Sequence, residues 1–192
     1  MLYPLPAVLV TCADNEGNAN VMTAAWAGTV CSDPVMVSVS IRKERYSHGI
    51  IAKTGEFCLC LTTEKMAKAT DFVGVRSGRD IDKFNLPGDM KLTRGQAAKV
   101  KAPIIEESPV CLECRVKEII ELGSHDMFIG EVLATNVDEK YLDENGGFVL
   151  EKSGLITYSH GRYFSLGKML GKFGYSVRKN KKKGKNKNEK RR

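Results

Sequence analysis

The chain has 192 residues, a length that suits one domain with a sizeable hydrophobic core. Its net charge of +7 comes from one end: residues 178–192 hold ten Lys or Arg and one Glu, whereas residues 1–177 hold 20 basic and 22 acidic groups, a net of −2. Because the sequence lacks both a signal-peptide pattern and an apolar run long enough to span a bilayer, we expect a cytoplasmic protein without membrane insertion.

The basic tail, residues 178–192, is separate from the predicted domain, residues 1–177. The tail contains no apolar residue, so burial cannot offset the entropy cost of ordering it, and we expect it to be disordered. Its charge allows weak contact with polyanions such as nucleic acids, acidic proteins or anionic membranes. No aromatic residue is interleaved to stack on bases, and a solvated appendage is the alternative interpretation.

Alternation of apolar and polar residues predicts short strands along most of the chain. The predicted strands are Ala7–Ala13, Val35–Ile41, Glu56–Leu61, Val110–Ile120, Met127–Val137 and Leu155–Ser159. The turn Asp14–Asn18 follows the first of them, and the fourth and fifth are expected to pair across Leu122–Asp126. Residues 75–105 are expected to be irregular. Many short strands at regular spacing favour an all-β barrel or sandwich over βαβ units.

Two short helices are predicted between these strands. Ser47 is a plausible N-cap for a helix through Lys53, with Gly55 just past its end. Thr63 is the expected cap of a second helix that runs to about Phe72.

The sequence contains neither GxGxxG after a strand nor GxxxxGK[ST], the two glycine-rich motifs that bind phosphate groups of nucleotides. Any phosphate must therefore be held by other means.

The segment Asn20–Trp26 contains the only tryptophan of the chain, next to several small residues. Two interpretations are open. The small residues leave space and approachable backbone amides beside an aromatic ring, which suits a flat, hydrogen-bonding aromatic ligand. Alternatively, the segment is an ordinary strand and its tryptophan fills the core.

Three charged or polar segments are weaker candidates for ligand contact. Arg45 and Ser47 lie at a predicted helix start, where backbone amides, a hydroxyl and a guanidinium group can hold an anion. Lys83 follows a Gly- and Arg-rich stretch and could reach a phosphate or a ring oxygen, although a surface turn with salt bridges is equally compatible. His125 lies in a predicted turn, facing either a ligand or solvent.

The six cysteines include the closely spaced pairs Cys58-Leu-Cys60 and Cys111-Leu-Glu-Cys114. A zinc site requires two CxxC-like pairs or histidine partners at suitable spacing, and only one such pair is present. Cys58 and Cys60 fall in a predicted strand, and Cys114 is in phase with the apolar residues of its own strand. We therefore expect reduced, mostly buried thiols rather than metal ligands or disulfides.

Taken together and in this order, the segments resemble the flavin reductase-like, FMN-binding split-barrel family, most closely its flavoredoxin branch. The resemblance extends from Pro6 to Gly167 and leaves the basic tail outside. It rests on Asn20–Trp26, Asp33-Pro34, Arg45–His48, Gly55–Phe57, Ser77–Phe84, Leu112–Cys114 and Phe128–Val132. Two positions depart from the family pattern: Ser47 replaces the more frequent threonine and keeps its hydroxyl, and Val73 stands where many relatives have cysteine.

The resemblance implies a mainly β, Greek-key split barrel with a few short helices that forms a homodimer and binds FMN near the subunit interface. Asn20, Val21, Met22, Thr23 and Trp26 would line the isoalloxazine ring. Arg45, Ser47 and His48 match the region that holds the phosphate and ribityl chain, Lys83 matches a basic residue that contacts FMN, and His125 and Tyr158 match further contacts.

The expected function is that of a flavoredoxin-type protein, in which bound FMN passes electrons between partner donors and acceptors. An NAD(P)H-dependent FMN reductase is the alternative, and the donor would be NAD(P)H or a ferredoxin-like protein. Because flavin performs electron transfer itself, no catalytic acid, base or nucleophile is expected. Two further classes are open: a polyanion binder that uses the tail, and a split-barrel module that binds another cofactor, such as haem or F420.

Overall fold

The computed structural model describes residues 2–178, and within them strands dominate the regular structure. The strands are β1 (Leu5–Pro6), β2 (Val8–Ala13), β3 (Ala19–Ala24), β4 (Ala27–Ser32), β5 (Val35–Arg42), β6 (Glu56–Leu61), β7 (Arg94–Gly95), β8 (Ile104–Ile105), β9 (Val110–Leu122), β10 (His125–Val137), β11 (Ile156–Ser159) and β12 (Arg162–Ser165). The α-helices are α1 (Tyr46–Thr54) and α2 (Ala67–Val75), and 3₁₀ turns cover Glu64–Met66, Gly88–Met90, Glu139–Tyr141, Leu150–Ser153 and Tyr175–Val177.

Seven strands form the main antiparallel sheet, in the order β3-β2-β6-β9-β10-β5-β4. Its two edge strands, β3 and β4, are consecutive in the chain and are joined only by Ala25 and Trp26. Since two residues span less than about 11 Å, the sheet must curl until its edges approach each other. The prediction of a mainly β, barrel-like fold is therefore confirmed. A smaller sheet, β1-β11-β12, pairs the first strand of the chain with the last two.

Apolar side chains pack on both faces of the curled sheet. Inside the barrel, Phe57 and Phe128 pack with valines of β2 and β5 and with Ile51 of α1. On the outer face, residues of α2 and of the segment between β7 and β8 cover β2, β6 and β9. Strand β2 contributes to both layers and is buried at all six positions, because apolar residues occupy nearly all of it.

Both predicted helices form, but their starts differ from expectation. Arg45 is the N-cap of α1 and makes no side-chain capping bond; Ser47 lies inside the first turn and is buried. Its prediction as a cap is wrong, because its hydroxyl accepts a hydrogen bond from Asn20 instead. Gly55 ends α1 in the left-handed conformation (φ 69°), as predicted. Thr63 precedes a 3₁₀ turn without capping it, and α2 continues to Val75.

The β9–β10 hairpin is tighter than predicted. Only Gly123 and Ser124 separate the strands, so His125 and Asp126 belong to β10 and not to a turn. Gly123 adopts φ 72°, which a two-residue hairpin loop requires. The antiparallel pairing of these strands is confirmed. Strands β4 and β12 were not predicted, and a strand at β3 was only one of two interpretations of Asn20–Trp26, because small and polar residues obscure their alternation.

Glu113 anchors the long segment between α2 and β9. Its side chain is fully buried, and its carboxylate accepts hydrogen bonds from the backbone amides of Ala98 (2.9 Å) and Lys99 (2.5 Å) and from Asn136 (2.8 Å). Burial alone would raise the pKa of this carboxyl, but the hydrogen bonds from Asn136 and the backbone amides outweigh burial and lower it.

All six cysteines are free, and five of them are buried. Burial raises the pKa of the Cys12 thiol to about 11 and that of Cys114 to about 12, so neither is a ready thiolate. No group of three or more metal-ligating side chains occurs within residues 2–178.

Within the same range, no helix has the length and apolar character needed to cross a membrane. The predicted disordered tail lies outside the described residues apart from Arg178.

Candidate functional site

One groove runs between β3, the start of α1 and the segment that follows α2. It consists of two adjoining cavities of about 390 and 420 Å³, which share Met22, Arg42, Arg45 and Val75 as lining residues. Each volume lies within the range of small-ligand and cofactor sites. We call the first cavity the cationic end and the second the aromatic end of the groove, after their other lining residues.

The cationic end concentrates positive charge on a domain whose net charge is slightly negative. Of the described residues, five cations and a single carboxylate line it: Arg42, Arg45, Arg76, Arg79, Lys83 and Glu44. Backbone carbonyls hold two of the guanidinium groups, since Arg45 donates to Gly74 (3.0 Å) and Arg79 to Glu44 (3.1 Å). This end of the groove is suited to an anionic group.

Lys83 is the most constrained of these cations. Only 4% of the residue is exposed, and its Nζ donates to the carbonyl oxygens of Val21 (2.9 Å) and Val73 (2.8 Å). An ammonium group has three donors, so one remains for a ligand in the groove. Burial, and secondarily repulsion by Arg45, lower the pKa of Lys83 to about 8.

The floor of the cationic end depends on a close approach of three elements. Asn20 of β3 donates through Nδ2 to the Ser47 hydroxyl of α1 at 2.7 Å. Gly78 lies directly against this pair: a Cβ at position 78 would be 2.2 Å from Asn20 Oδ1. Any side chain at position 78 would therefore displace Asn20, and only a glycine allows this close approach.

The aromatic end is lined by rings and small residues. The Trp26 and His125 rings lie 4.7 Å apart, and Tyr158 meets Tyr163 edge-on at 5.5 Å. Ala24, Ala25 and Gly74 also line this end. Trp26 is 47% exposed and belongs to neither core cluster, so it lines the groove rather than filling the core.

A tyrosine and an acidic residue add polar groups to this end. Burial, followed by the charge of and hydrogen bond with Asp71, raises the pKa of Tyr163 to about 12, so its hydroxyl stays protonated. Thr23 donates its hydroxyl proton to the Thr70 carbonyl, which fixes β3 against α2. The aromatic end thus combines a flat apolar space with hydrogen-bonding groups at its border.

Nine of the eleven predicted contact residues meet at the groove: Asn20, Met22, Thr23, Trp26, Arg45, Ser47, Lys83, His125 and Tyr158. Val21 and His48 do not line it. The Val21 side chain is buried in the core layer under α2 and contributes only its carbonyl, to Lys83. His48 contacts Asp126 (2.7 Å) and the Phe128 ring. Ligand contact by the eleven residues stays a prediction.

Several lining residues were absent from the predicted contacts. Arg76, Arg79 and Asp71 come from the end of α2 and the loop after it, and Tyr163 comes from β12. The Arg-rich composition of residues 74–84 was a usable signal for the first two. No local pattern indicates Asp71 or Tyr163, because they are brought together by the packing of β12 beside α2.

Comparison with known proteins agrees with this architecture. The family described as "Flavin reductase like domain" matches residues 1–167. The flavoredoxin of Desulfovibrio vulgaris (Miyazaki F) is 31% identical, with a TM-score of 0.84 over 93% of this chain and 95% of that chain. Flavoredoxin from Methanosarcina acetivorans is 30% identical, with a TM-score of 0.81 and the same coverage of both chains.

The chain is also similar in sequence to a protein whose name states an enzymatic activity. The NADH:riboflavin 5'-phosphate oxidoreductase of Streptomyces pristinaespiralis is 26% identical over 125 residues, which are 65% of this chain and 66% of that protein. The predicted split-barrel fold is confirmed by the structural neighbours. With a family match over residues 1–167 and flavoredoxins as neighbours along nearly the whole length, the chain belongs to the flavin reductase-like family.

Proposed function

We propose that the protein binds FMN in the groove and passes electrons, through the bound flavin, between partner donors and acceptors. The observation that carries the proposal is the division of one continuous groove into a cationic and an aromatic end. FMN has the same division, with a flat ring system at one end and a phosphate monoester at the other. The flavoredoxin neighbours favour an electron-carrier role.

The residues of the groove fit FMN by their chemistry. Lys83 and Ser47 offer an ammonium and a hydroxyl to the phosphate, beside guanidinium groups held by backbone carbonyls. Trp26 and the small residues that follow β3 border a space suited to the ring. FAD carries the same ring system but a second phosphate and an adenosine group. The proposal is therefore specific to FMN, the flavin with a single phosphate.

In this proposal the bound flavin supplies the electron-transfer chemistry, and the chain supplies binding, orientation and limited solvent access. Lys83 and Arg45 neutralise the phosphate and fix its position at the start of α1. Trp26 and His125 cover part of the ring region and restrict its contact with water. Tyr163, whose hydroxyl stays protonated and is hydrogen-bonded with Asp71, borders the same end of the groove.

An NAD(P)H-dependent FMN reductase is the second candidate, supported by the similarity to the Streptomyces oxidoreductase. The two candidates differ in the source of electrons. Both candidates require flavin in the same groove, so the site does not distinguish them. They are distinguished by measuring which electron donor reduces the bound flavin.

The test begins with the absorption spectrum of the purified protein after FMN addition and desalting. Flavin bands in about 1:1 ratio to protein are expected, and a haem or F420 spectrum, or no retained flavin, would contradict the proposal. The holoprotein is then mixed anaerobically with NADH, NADPH or a reduced ferredoxin. Bleaching by ferredoxin alone supports the electron carrier, whereas rapid bleaching by a nicotinamide nucleotide supports the reductase.

The lowered pKa of Lys83 predicts that FMN affinity depends on pH. In the free protein this side chain loses its proton above about pH 8, but the phosphate favours the protonated ammonium. Binding above this pH therefore takes up a proton, and the Kd should rise by up to about tenfold per pH unit. The Kd is measured by titrating the protein into FMN and following the quenching of flavin fluorescence, at several values between pH 7 and 9.5. A flat profile in the wild type would contradict this role of Lys83, and a Lys83→Met variant should be flat.

A further inference from the structure

The carboxylate of Asp126 contacts the start of α1 from a buried position. Only 5% of the residue is exposed, and it lines neither cavity of the groove. Its backbone is held inside the main sheet, since β10 lies between β9 and β5. Because successive residues of a strand face opposite sides, His125 faces the aromatic end and Asp126 faces α1. Asp126 is therefore a fixed, charged group outside the groove.

The two oxygens of this carboxylate have different partners. Oδ2 is 2.7 Å from Nε2 of His48, whose ring also packs edge-on against Phe128. Oδ1 is 3.2 Å from Nζ of Lys43. Among the buried side-chain oxygen and nitrogen atoms of residues 2–178, this Oδ1 alone makes no hydrogen bond. A buried carboxylate oxygen without a hydrogen bond is costly to the fold unless a cation compensates for it, so the Lys43 ammonium is required at this position.

Lys43 and His48 are the two ends of a segment that leads from β5 into α1. Arg45 and Ser47 lie between them, and both line the cationic end. Arg45 is also the N-cap of α1, and its side chain makes no capping hydrogen bond. The start of α1 is therefore placed by tertiary contacts, and one carboxylate holds the segment at both of its ends.

We propose that Asp126 is a positioning residue for FMN. Acting through Lys43 and His48, it holds Arg45 and Ser47 where they bind the phosphate, and it does not touch the flavin itself. The inference rests on the proposed function, because it assigns the FMN phosphate to the cationic end. Burial alone would raise the pKa of Asp126, but the contacts with His48 and Lys43 outweigh burial and lower it, so the carboxylate is charged at neutral pH.

The substitution Asp126→Asn keeps the shape of the side chain and removes the charge that holds Lys43. Loss of a negative charge near an anion site would by itself strengthen the binding of FMN. Loss of a positioning group has the opposite sign, because the cations of the cationic end are no longer held in place. The two effects therefore predict opposite changes in affinity.

The test compares FMN with riboflavin, which has the same ring system and ribityl chain but no phosphate. The wild type should bind FMN at least about 100-fold more tightly than riboflavin. In Asp126→Asn, FMN affinity should fall about tenfold, and riboflavin affinity should stay within about twofold. Titrations of flavin fluorescence at pH 7 give both dissociation constants. A general loss of structure would weaken the binding of both flavins alike.

Glu121→Gln is the matched control, because Glu121 contacts the same Lys43 Nζ at 3.1 Å from an exposed position. This variant should leave both affinities within about twofold of the wild type. Lys43→Met removes the ion pair from its half-exposed partner, so it tests the inference even if Asp126→Asn does not fold, and it should also weaken FMN binding alone.

The failure of this inference can be told apart from the failure of the proposed function. An FMN affinity that is unchanged or higher in Asp126→Asn, or an equal loss for FMN and riboflavin, would overturn the positioning role only. A wild type that binds FMN no better than riboflavin would overturn the proposed phosphate site, and the positioning role with it.

Discussion

Replacement of Lys83 by methionine is expected to weaken FMN binding by about 100-fold, the largest effect of any single change in the groove. A charge-assisted hydrogen bond to phosphate in a buried position contributes about 3 kcal/mol, and each 1.4 kcal/mol corresponds to a factor of about ten. Methionine also leaves the carbonyls of Val21 and Val73 without their donor. Isothermal titration with FMN at pH 7 measures the affinity, and thermal unfolding of the apoprotein measures the cost to the fold.

Lys68→Met is the matched control for this substitution. Lys68 is exposed on α2 and pairs with Asp89 at 3.0 Å, outside the groove. Its replacement removes the same charge from an exposed position outside the groove and should leave FMN affinity within about twofold. If both lysine variants bind equally well, Lys83 does not contact the flavin phosphate and the cationic end is misassigned.

Glu113→Gln is expected to lower the free energy of unfolding by about 3 kcal/mol without any change in the groove. The carboxylate accepts hydrogen bonds from Ala98, Lys99 and Asn136 through both of its oxygens. A glutamine has an NH₂ group in place of one oxygen, so at least one of these buried donors would lose its acceptor. For a chain of this size, the midpoint of thermal unfolding should fall by about 6–12 °C. Differential scanning calorimetry at pH 7 provides the measurement.

The same variant should change the pH dependence of stability. Because the pKa of Glu113 is lower in the folded protein than in the unfolded chain, its carboxylate stabilises the fold fully above the ordinary pKa near 4.3. That contribution is lost as pH falls through the lowered pKa. The stability difference between wild type and variant should therefore shrink below about pH 4. Glu118→Gln, at an exposed position of the same strand, should match the wild type throughout; equal loss in both variants would refute the anchoring role of Glu113.

Much of the fold could be predicted because its strands alternate clearly. Val35–Ile41 and Glu56–Leu61 were located within one residue, and the β9–β10 pair was recognised from two long apolar patterns. Strand β4 was not predicted, and a strand at β3 was only one of two open interpretations, since Asn20, Thr23 and several alanines give no two-residue period. Their strand character comes from pairing with β2 and β5, a long-range effect that the local sequence does not contain.

The candidate site was also predicted only in part, because only some of its residues carry a local signal in the sequence. Segments with unusual local composition, such as Asn20–Trp26 and Ser77–Lys83, could be recognised and do meet at the groove. The role of Ser47 was misjudged, because a serine near a helix start is usually a cap, and only tertiary structure shows that Asn20 bonds to it. His48 was included through the family resemblance, although its position on α1 directs it to Asp126.

The hydrogen bonds of Lys83 to β3 and α2 have a consequence for cofactor exchange. Both acceptors are backbone carbonyls of the chain itself, so the groove walls are tied together before any ligand arrives. Binding to a preorganised site costs little ordering entropy, and loss of the ligand leaves the architecture intact. A protein built in this way can release its flavin and take up another without unfolding, so occupancy would follow the free flavin concentration in the cell.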